Sequence, residues 1–195
     1  MVKTRKLTRR RFIQLSASIA AAGHAISCSK ATNPWRFLTI DEAATLQAIC
    51  GQIVPTDADP GAKEVGVVNF IDLQLVGYLK RHQKSYREGL AGVDQTSLAL
   101  HGARFSELAA EKQLTVLAAL EKNEAPGDVW KRRSARNFFD LVVNHTLQGF
   151  YGDPRHGGNR EGASWKMLGL SYPPIRGRQQ YDLTPPPASP GPQRT

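Results

Sequence analysis

The chain has 195 residues, of which 41% are hydrophobic and 22% are charged, and its formal net charge is +9 at pH 7. This mixture is that of a globular domain, and it excludes a coiled coil, a collagen-like chain and a wholly disordered chain. Residues 1–27 hold six of the 26 Lys and Arg residues and no acid, which leaves a net charge of +3 for the remainder. The excess positive charge therefore lies at the N-terminus, and we expect no nucleic-acid partner.

The N-terminal segment has the layout of an export signal. Within residues 1–27, a basic opening precedes an uncharged, Ala-rich stretch that is too short to span a membrane as a helix. Between the two, Arg9, Arg10 and Phe12 stand at the defining positions of a sequence that resembles the twin-arginine export motif. That resemblance implies export in the folded state to the periplasm. We expect residues 1–27 to be the signal peptide.

The two cysteines, Cys28 and Cys50, leave two questions open. The residues before Cys28 resemble a lipoprotein box, in which Cys28 would be lipidated, whereas cleavage after Ala25 would give a soluble chain. Cys50 lies on the apolar face of a predicted helix, which favours a buried and inert thiol. A disulfide from Cys50 to a partner chain is the alternative. Two cysteines are too few for an iron–sulfur cluster.

Helical periodicity dominates the body of the chain. Thr39 and Glu42 form a capping-box pattern, and apolar residues then recur at helical spacing up to Pro55. The same spacing predicts four further helices, over about 68–82, 83–100, 107–122 and 128–149. We expect Tyr78 on the buried stripe of the second helix and Ser106 as the cap of the fourth. Since no segment alternates as a strand would, the predicted fold class is all-α, with about five helices in one domain.

The order of these patterns predicts the organisation of the chain. A polar linker over 28–37 is expected to follow the signal peptide and to precede a helical domain over 38–172. The end of that domain, beyond residue 150, is Gly-rich, and we expect it to be long and irregular. The tail over 173–195 is rich in Pro and is expected to be disordered.

Motifs for chemistry are scarce. The chain has no P-loop, no Gly-x-Ser-x-Gly elbow, no Cys-x-x-Cys and no Gly-rich turn between a strand and a helix. His145, Asp153 and His156 are close in sequence and are of metal-binding type, although their spacing matches no ligand motif. An independent periplasmic metal-binding protein or enzyme that uses these three residues is therefore kept as the alternative function.

The most unusual stretch is Gly-rich and aromatic, and it runs from Gly149 to Gly169. Glycine permits close approach of backbones, and aromatic residues supply contact area. The stretch either packs its aromatic rings on the domain's own helices or docks a partner protein, and it can do both. The candidate interface residues are Phe150, Tyr151, Gly152, Asp153, Pro154, Gly157, Gly158, Asn159 and Trp165.

Three stretches give the chain a resemblance to the gluconate 2-dehydrogenase subunit 3 family. They run from Leu38 to Asp57, from Pro60 to Asp72 and from Gly149 to Gly169, and the likeness covers about residues 36–172. His156 stands where an aromatic residue such as Tyr is expected. The third stretch is the most distinctive of the three.

The resemblance implies an accessory role in an oxidoreductase complex. In that family a larger flavoprotein of the glucose–methanol–choline type holds FAD and oxidises a sugar or sugar acid, and a cytochrome c subunit commonly takes the electrons. The small subunit carries the export signal and escorts the folded flavoprotein. The resemblance assigns no catalytic, cofactor-binding or metal-binding residue to this chain. It implies a periplasmic location, with membrane association through the complex or through a lipidated Cys28.

Overall fold

The computed structural model describes residues 33–170, and within them the chain is all-α, as the sequence predicts. The α-helices of this part of the chain are α1 (Ile40–Ile53), α2 (Val67–Leu75), α3 (Gln83–His101), α4 (Ala110–Glu121), α5 (Ala135–Tyr151) and α6 (Ala163–Met167). Short 3₁₀ turns lie at Lys80–His82, Phe105–Glu107, Val129–Lys131, Pro154–His156 and Arg160–Gly162. The signal residues Arg9, Arg10 and Phe12, the lipidation candidate Cys28 and the tail over 173–195 lie outside the described residues.

Helix α1 begins with the predicted capping box. The Thr39 hydroxyl accepts from the Glu42 N–H at 3.2 Å, and the Glu42 carboxylate accepts from the Thr39 N–H at 2.8 Å. This exchange gives hydrogen-bond partners to two backbone N–H groups, which an uncapped first turn would leave without them. The helix ends at Ile53, two residues before Pro55, which cannot donate to the helical ladder.

Helix α5 is the centre of the fold, because it contacts α1, α2, α3, α4 and α6. Its buried face carries Phe138, Val142, His145 and Phe150, and the apolar residues among them join a core to which all the longer helices contribute. A helix buried on this scale gains most of its stability from apolar area removed from water rather than from helix propensity.

A buried carboxylate fixes the start of the compact helical unit, which begins at Trp35. Asp72 of α2 is 1% exposed and accepts hydrogen bonds from three consecutive backbone N–H groups, those of Arg36, Phe37 and Leu38, at 2.7, 2.9 and 2.9 Å. A buried charge is tolerated only where it is hydrogen-bonded, and these three donors meet that need. The first described segment is thereby held against α2.

The second helix is shorter than the sequence predicts. α2 ends at Leu75 instead of continuing to 82, and a 3₁₀ turn at Lys80–His82 follows. Gly77 lies in the turn between them, where glycine weakens a helix. The prediction that Tyr78 is buried is wrong: its side chain is 78% exposed, while its neighbour Leu79 enters the core.

Two helix starts also differ from the prediction. Ser106 lies inside a 3₁₀ turn and caps nothing, because Leu108 is extended and α4 starts at Ala110. The buried amide of Gln113 donates to the carbonyls of Phe105 and Leu108, which holds this turn in place. The sequence predicts that the last long helix starts at 128, but α5 starts at Ala135.

The start of α5 has a local cause. Ser134 is its N-cap, and the Ser134 hydroxyl accepts from the Asn137 N–H at 3.1 Å. The helix continues past Gly149 to Tyr151, with Gly152 as its C-cap. The region expected to be irregular also contains α6, which brings the described α-helices to six instead of about five. None of the described helices is long and apolar enough to cross a bilayer.

Candidate functional site

The Gly-rich segment folds back over the end of α5. A side chain at Gly149 would lie 2.8 Å from the Phe70 ring, and one at Gly158 would overlap the carbonyl group of Gly149. The backbones cross here closely enough for the Asn159 N–H to donate to the Gly149 oxygen at 2.9 Å. Glycine is therefore required at 158 by contact between backbones and at 149 by the ring of Phe70, and the close approach is what the sequence suggested in general terms.

Asn159 holds the crossing together. Its side chain is fully buried, and its φ of 41° lies in the left-handed region that Asn tolerates better than most residues. The side-chain amide donates to the Gly152 carbonyl at 2.8 Å, and the side-chain oxygen accepts from the Ser164 N–H at 2.9 Å. One residue thus joins the end of α5 to the start of α6.

The far side of the segment is tied to α2 and to the residues just before it. The Asn69 side chain donates to the Gly157 carbonyl at 2.7 Å, and the Arg160 N–H donates to the Val65 carbonyl at 3.0 Å. Gly157 has a φ of 96°, which only glycine adopts without strain. Backbone bonds therefore determine the shape of this segment, and it forms a rigid frame beside α5.

The aromatic residues of the segment divide between core and surface. Phe150 is 1% exposed and belongs to the core, whereas Tyr151 is 44% exposed, with the two rings meeting edge to face at 4.8 Å. The Trp165 indole N–H donates to the Tyr151 carbonyl at 2.7 Å, which brings α6 against the end of α5. Packing on the domain's own helices is therefore confirmed for Phe150, whereas Tyr151 stays exposed and its docking role stays a prediction.

Several large apolar side chains remain exposed around this junction. Leu147 lies one turn before Tyr151 on α5, and the others lie in α6 or directly after it. We name this set the apolar face; its members are Leu147, Tyr151, Met167, Leu168 and Leu170.

Asp153 and Pro154 shape the turn after α5. The Asp153 carboxylate accepts from the backbone N–H and from the guanidinium of Arg155, at 2.6 to 3.0 Å. These hydrogen bonds from Arg155 lower the pKa of Asp153 to about 2, so its carboxylate is ionised at neutral pH. Pro154 opens the 3₁₀ turn that follows. The geometry of this turn therefore explains the presence of both Asp153 and Pro154.

His145, Asp153 and His156 do not form a metal site. Among the described residues, no group of three or more His, Cys, Asp or Glu side chains is placed to hold a metal ion. His145 is buried in the core and shares a hydrogen bond of 2.9 Å with the Tyr86 hydroxyl through its Nδ1. Asp153 is occupied by Arg155, and His156 is exposed in the turn beyond it. The metal-binding interpretation of these three residues is therefore not supported.

The environment of His145 disfavours its charged form. Burial lowers the pKa of His145 to about 4, and His82 and Arg81 add to this effect by charge repulsion. The His82 and His145 rings meet edge to face at 5.3 Å, and the Tyr86 ring lies nearly parallel to that of His145 at 5.9 Å. Sequence reasoning placed His145 on an apolar face but had no signal for its Tyr86 partner.

Cys50 is inaccessible in this structure. It is 1% exposed, and its sulfur shares a hydrogen bond of 3.2 Å with the Thr146 hydroxyl. Burial raises the pKa of the Cys50 thiol to about 12, so almost no thiolate is present at neutral pH. The geometry supports the buried, inert thiol and offers no route to an intersubunit disulfide.

The comparison with known families agrees with the resemblance seen in the sequence. The family model for gluconate 2-dehydrogenase subunit 3 matches residues 40–171. The match spans α1 to α6 and includes the frame built by Asn159 as well as the apolar face. No curated protein and no solved structure matches the chain.

Proposed function

Because this chain belongs to the gluconate 2-dehydrogenase subunit 3 family, we propose that it is a non-catalytic small subunit that binds, stabilises and co-exports a dehydrogenase. The partner is an FAD-dependent large subunit of the glucose–methanol–choline type, which oxidises a sugar or sugar acid such as gluconate. FAD is bound by that partner and not by this chain. A cytochrome c subunit accepts the electrons in the assembled complex.

The observation that carries this proposal is the apolar face on a rigid frame. Exposed apolar patches of this kind mark surfaces that are covered by a partner. The frame is pre-organised by the bonds of Asn159 and Trp165, so docking orders little additional backbone. Tyr151 is an exposed side chain of the type that anchors protein interfaces, and Leu168 adds exposed apolar area.

The non-catalytic role is supported by how the chain uses its reactive side chains. His145 is buried against Tyr86, Cys50 is buried against Thr146, and Asp153 is held by Arg155. Each of these three side chains makes a contact within the chain that contributes to its fold. None of them stands beside a second reactive group in a cleft, as an acid–base pair for catalysis would.

Co-export follows from the N-terminal sequence. Arg9, Arg10 and Phe12 address the chain to a route for folded proteins. A large subunit bound to the apolar face before export crosses with it to the periplasm, where the complex associates with the membrane through its cytochrome or through a lipidated Cys28.

The binding step is tested by purifying the tagged full chain from its own host and recording a flavin absorbance spectrum of the eluate. Replacing Tyr151 and Leu168 by Ala is expected to remove the yellow flavoprotein. The matched control replaces Leu98 and Leu114 by Ala, since these are equally exposed but lie on α3 and α4. A colourless eluate from the unmodified chain, or equal loss in both variants, overturns the proposed binding.

The export step needs a separate test. Arg9→Lys combined with Arg10→Lys keeps the charge but removes the twin-arginine pair. We expect both this chain and the flavoprotein to disappear from the periplasmic fraction. If the flavoprotein still reaches the periplasm while this chain does not, the escort role is wrong and only the binding role remains.

A further inference from the structure

The turn after α2 exposes an aromatic ring among cations. Tyr78 is 78% exposed, and the Arg81 guanidinium lies 5.7 Å from the centre of its ring. Lys80 and Lys84 are exposed beside them. Residues 73–87 contain no acid, so the turn itself carries an excess of positive charge.

A fourth cation joins this turn from the segment before α5. Lys84 and Arg132 line one open depression of about 330 Å³, together with an acid, Glu88. That acid is already engaged, since Glu88 pairs with Arg133 and lies 3.8 Å from Lys84. We name this patch the basic turn surface; it consists of Tyr78, Lys80, Arg81, Lys84 and Arg132.

The basic turn surface lies near the point at which the chain enters the helical unit. The backbone N–H groups of Arg36 to Leu38 bind Asp72, and α2 ends three residues later at Leu75. Three residues of helix correspond to roughly 4.5 Å. The exposed cation Arg36 therefore enters at the same end of α2 as the basic turn surface.

We propose that the basic turn surface binds the anionic headgroups of a phospholipid bilayer. Cations attract a negatively charged membrane surface, and Tyr is favoured at the depth of the headgroups, where its ring and its hydroxyl meet different surroundings. An aromatic ring that projects from a turn can enter the headgroup layer, because that layer requires no complementary pocket. This proposal does not depend on the accessory role, because its residues lie outside the apolar face.

The test is co-sedimentation of the full chain with vesicles of phosphatidylcholine, alone or mixed with phosphatidylglycerol. The test variant replaces Lys80, Arg81 and Lys84 by Gln. Its charge-matched control replaces three exposed lysines elsewhere by Gln, namely Lys63, Lys112 and Lys122. Both variants keep the basic residues of the signal segment, so any background binding by that segment is equal in the two.

We expect the test variant to bind phosphatidylglycerol vesicles at least tenfold more weakly than the control, since each cation near the surface contributes roughly fivefold. Tyr78→Ser is expected to weaken binding further without changing the salt dependence. Thermal unfolding should be similar for all variants, because every replaced side chain is exposed. Equal binding by test variant and control overturns the proposal.

A protein ligand gives a different result. If the test variant retains full vesicle binding but captures less flavoprotein than the control does, the basic turn surface recognises an acidic protein and not a membrane. That outcome overturns the proposal while leaving the accessory role intact.

Discussion

The side-chain amide of Asn159 donates to the carbonyl oxygen of Gly152 across the end of α5, at 2.8 Å. The same side chain accepts from the Ser164 N–H, so Asn159→Ala removes the partner of a half-buried carbonyl and of a buried N–H. We expect this variant to lower the free energy of unfolding by about 3 kcal/mol, measured by urea denaturation. Asn144→Ala, on the exposed face of α5, is the control and should change it by less than about 0.5 kcal/mol. Equal effects would show that the crossing is held by its other contacts.

Two glycines of the chain should respond in opposite directions to substitution by Ala. Gly158→Ala places a methyl group against the Gly149 carbonyl and should cost about 3 kcal/mol, because backbone cannot move aside cheaply. Gly51→Ala, in α1, meets nothing within 4 Å and should add about 0.5 kcal/mol by helix propensity. Thermal unfolding of the two variants measures both effects. A Gly158→Ala chain as stable as the unmodified one would contradict the close crossing.

Local signals explain which parts of the fold could be predicted. The bounds of α1 depend on Thr39, Glu42 and Pro55, which act within a few residues of themselves, and the sequence located that helix closely. The start of α5 also has a local cap, Ser134, yet the apolar residues just before it belong to a separate turn. The Trp130 indole N–H donates to the Thr96 hydroxyl at 2.9 Å and holds a separate turn against α3. The apolar residues of that turn are spaced as in a helix. The sequence therefore predicts, wrongly, that the helix begins at 128.

The candidate site was predictable in kind but not in detail. A run of glycines indicates that backbones approach closely, yet only the folded chain shows that Gly158 lies over Gly149. The division between Phe150 in the core and Tyr151 on the surface depends on where α5 ends, which the sequence placed two residues early. Tyr78 has the same helical spacing as its buried neighbours. Its exposure could not be predicted, because it depends on the end of α2 at Leu75, which the sequence does not indicate.

The stability of the chain should fall in mild acid because of His145. Its pKa is about 4 in the folded chain and about 6.5 in the unfolded chain, so between these values the unfolded chain binds more protons. The free energy of unfolding therefore decreases as the pH falls from about 6.5 to about 4, by about 3 kcal/mol for this group. The lowered pKa of His82, caused by burial and by Arg81, acts in the same direction.

Urea denaturation at several pH values tests this dependence. His145→Gln should flatten the decline between pH 6.5 and pH 4, since Gln does not titrate there. Asn144→Gln, at the adjacent exposed position of α5, should retain the decline of the unmodified chain. An unchanged slope in His145→Gln would assign the acid sensitivity to other groups.

Asp72 should protect the first described segment from proteolysis. Asp72→Asn replaces a carboxylate oxygen by an amide group that faces backbone donors, and we expect a loss of about 3 kcal/mol. Trypsin should then cleave faster after Arg36, which the native chain holds against α2. Asp140→Asn removes an exposed carboxylate from a surface ion pair and should leave the cleavage rate unchanged. Slow cleavage in Asp72→Asn would mean that Leu38 and its neighbours are held by packing alone.

Cys50 should react with thiol reagents only when the chain unfolds. In a Cys28→Ser background, iodoacetamide should modify the native chain at least a hundredfold more slowly than the chain in urea, because burial raises the pKa of the Cys50 thiol to about 12. Mass spectrometry of the alkylated chain measures both rates. Rapid reaction of the native chain would restore the possibility of a disulfide to a partner.

The frame around Asn159 is held by groups other than the side chains of Tyr151 and Leu168. Its geometry depends on glycines, on backbone carbonyls and on the buried side-chain amide of Asn159. The outward side chains of Tyr151 and Leu168 contribute little to that geometry. Mutational libraries at these two positions should therefore yield folded proteins, and under the proposed function these should differ in the partners they bind.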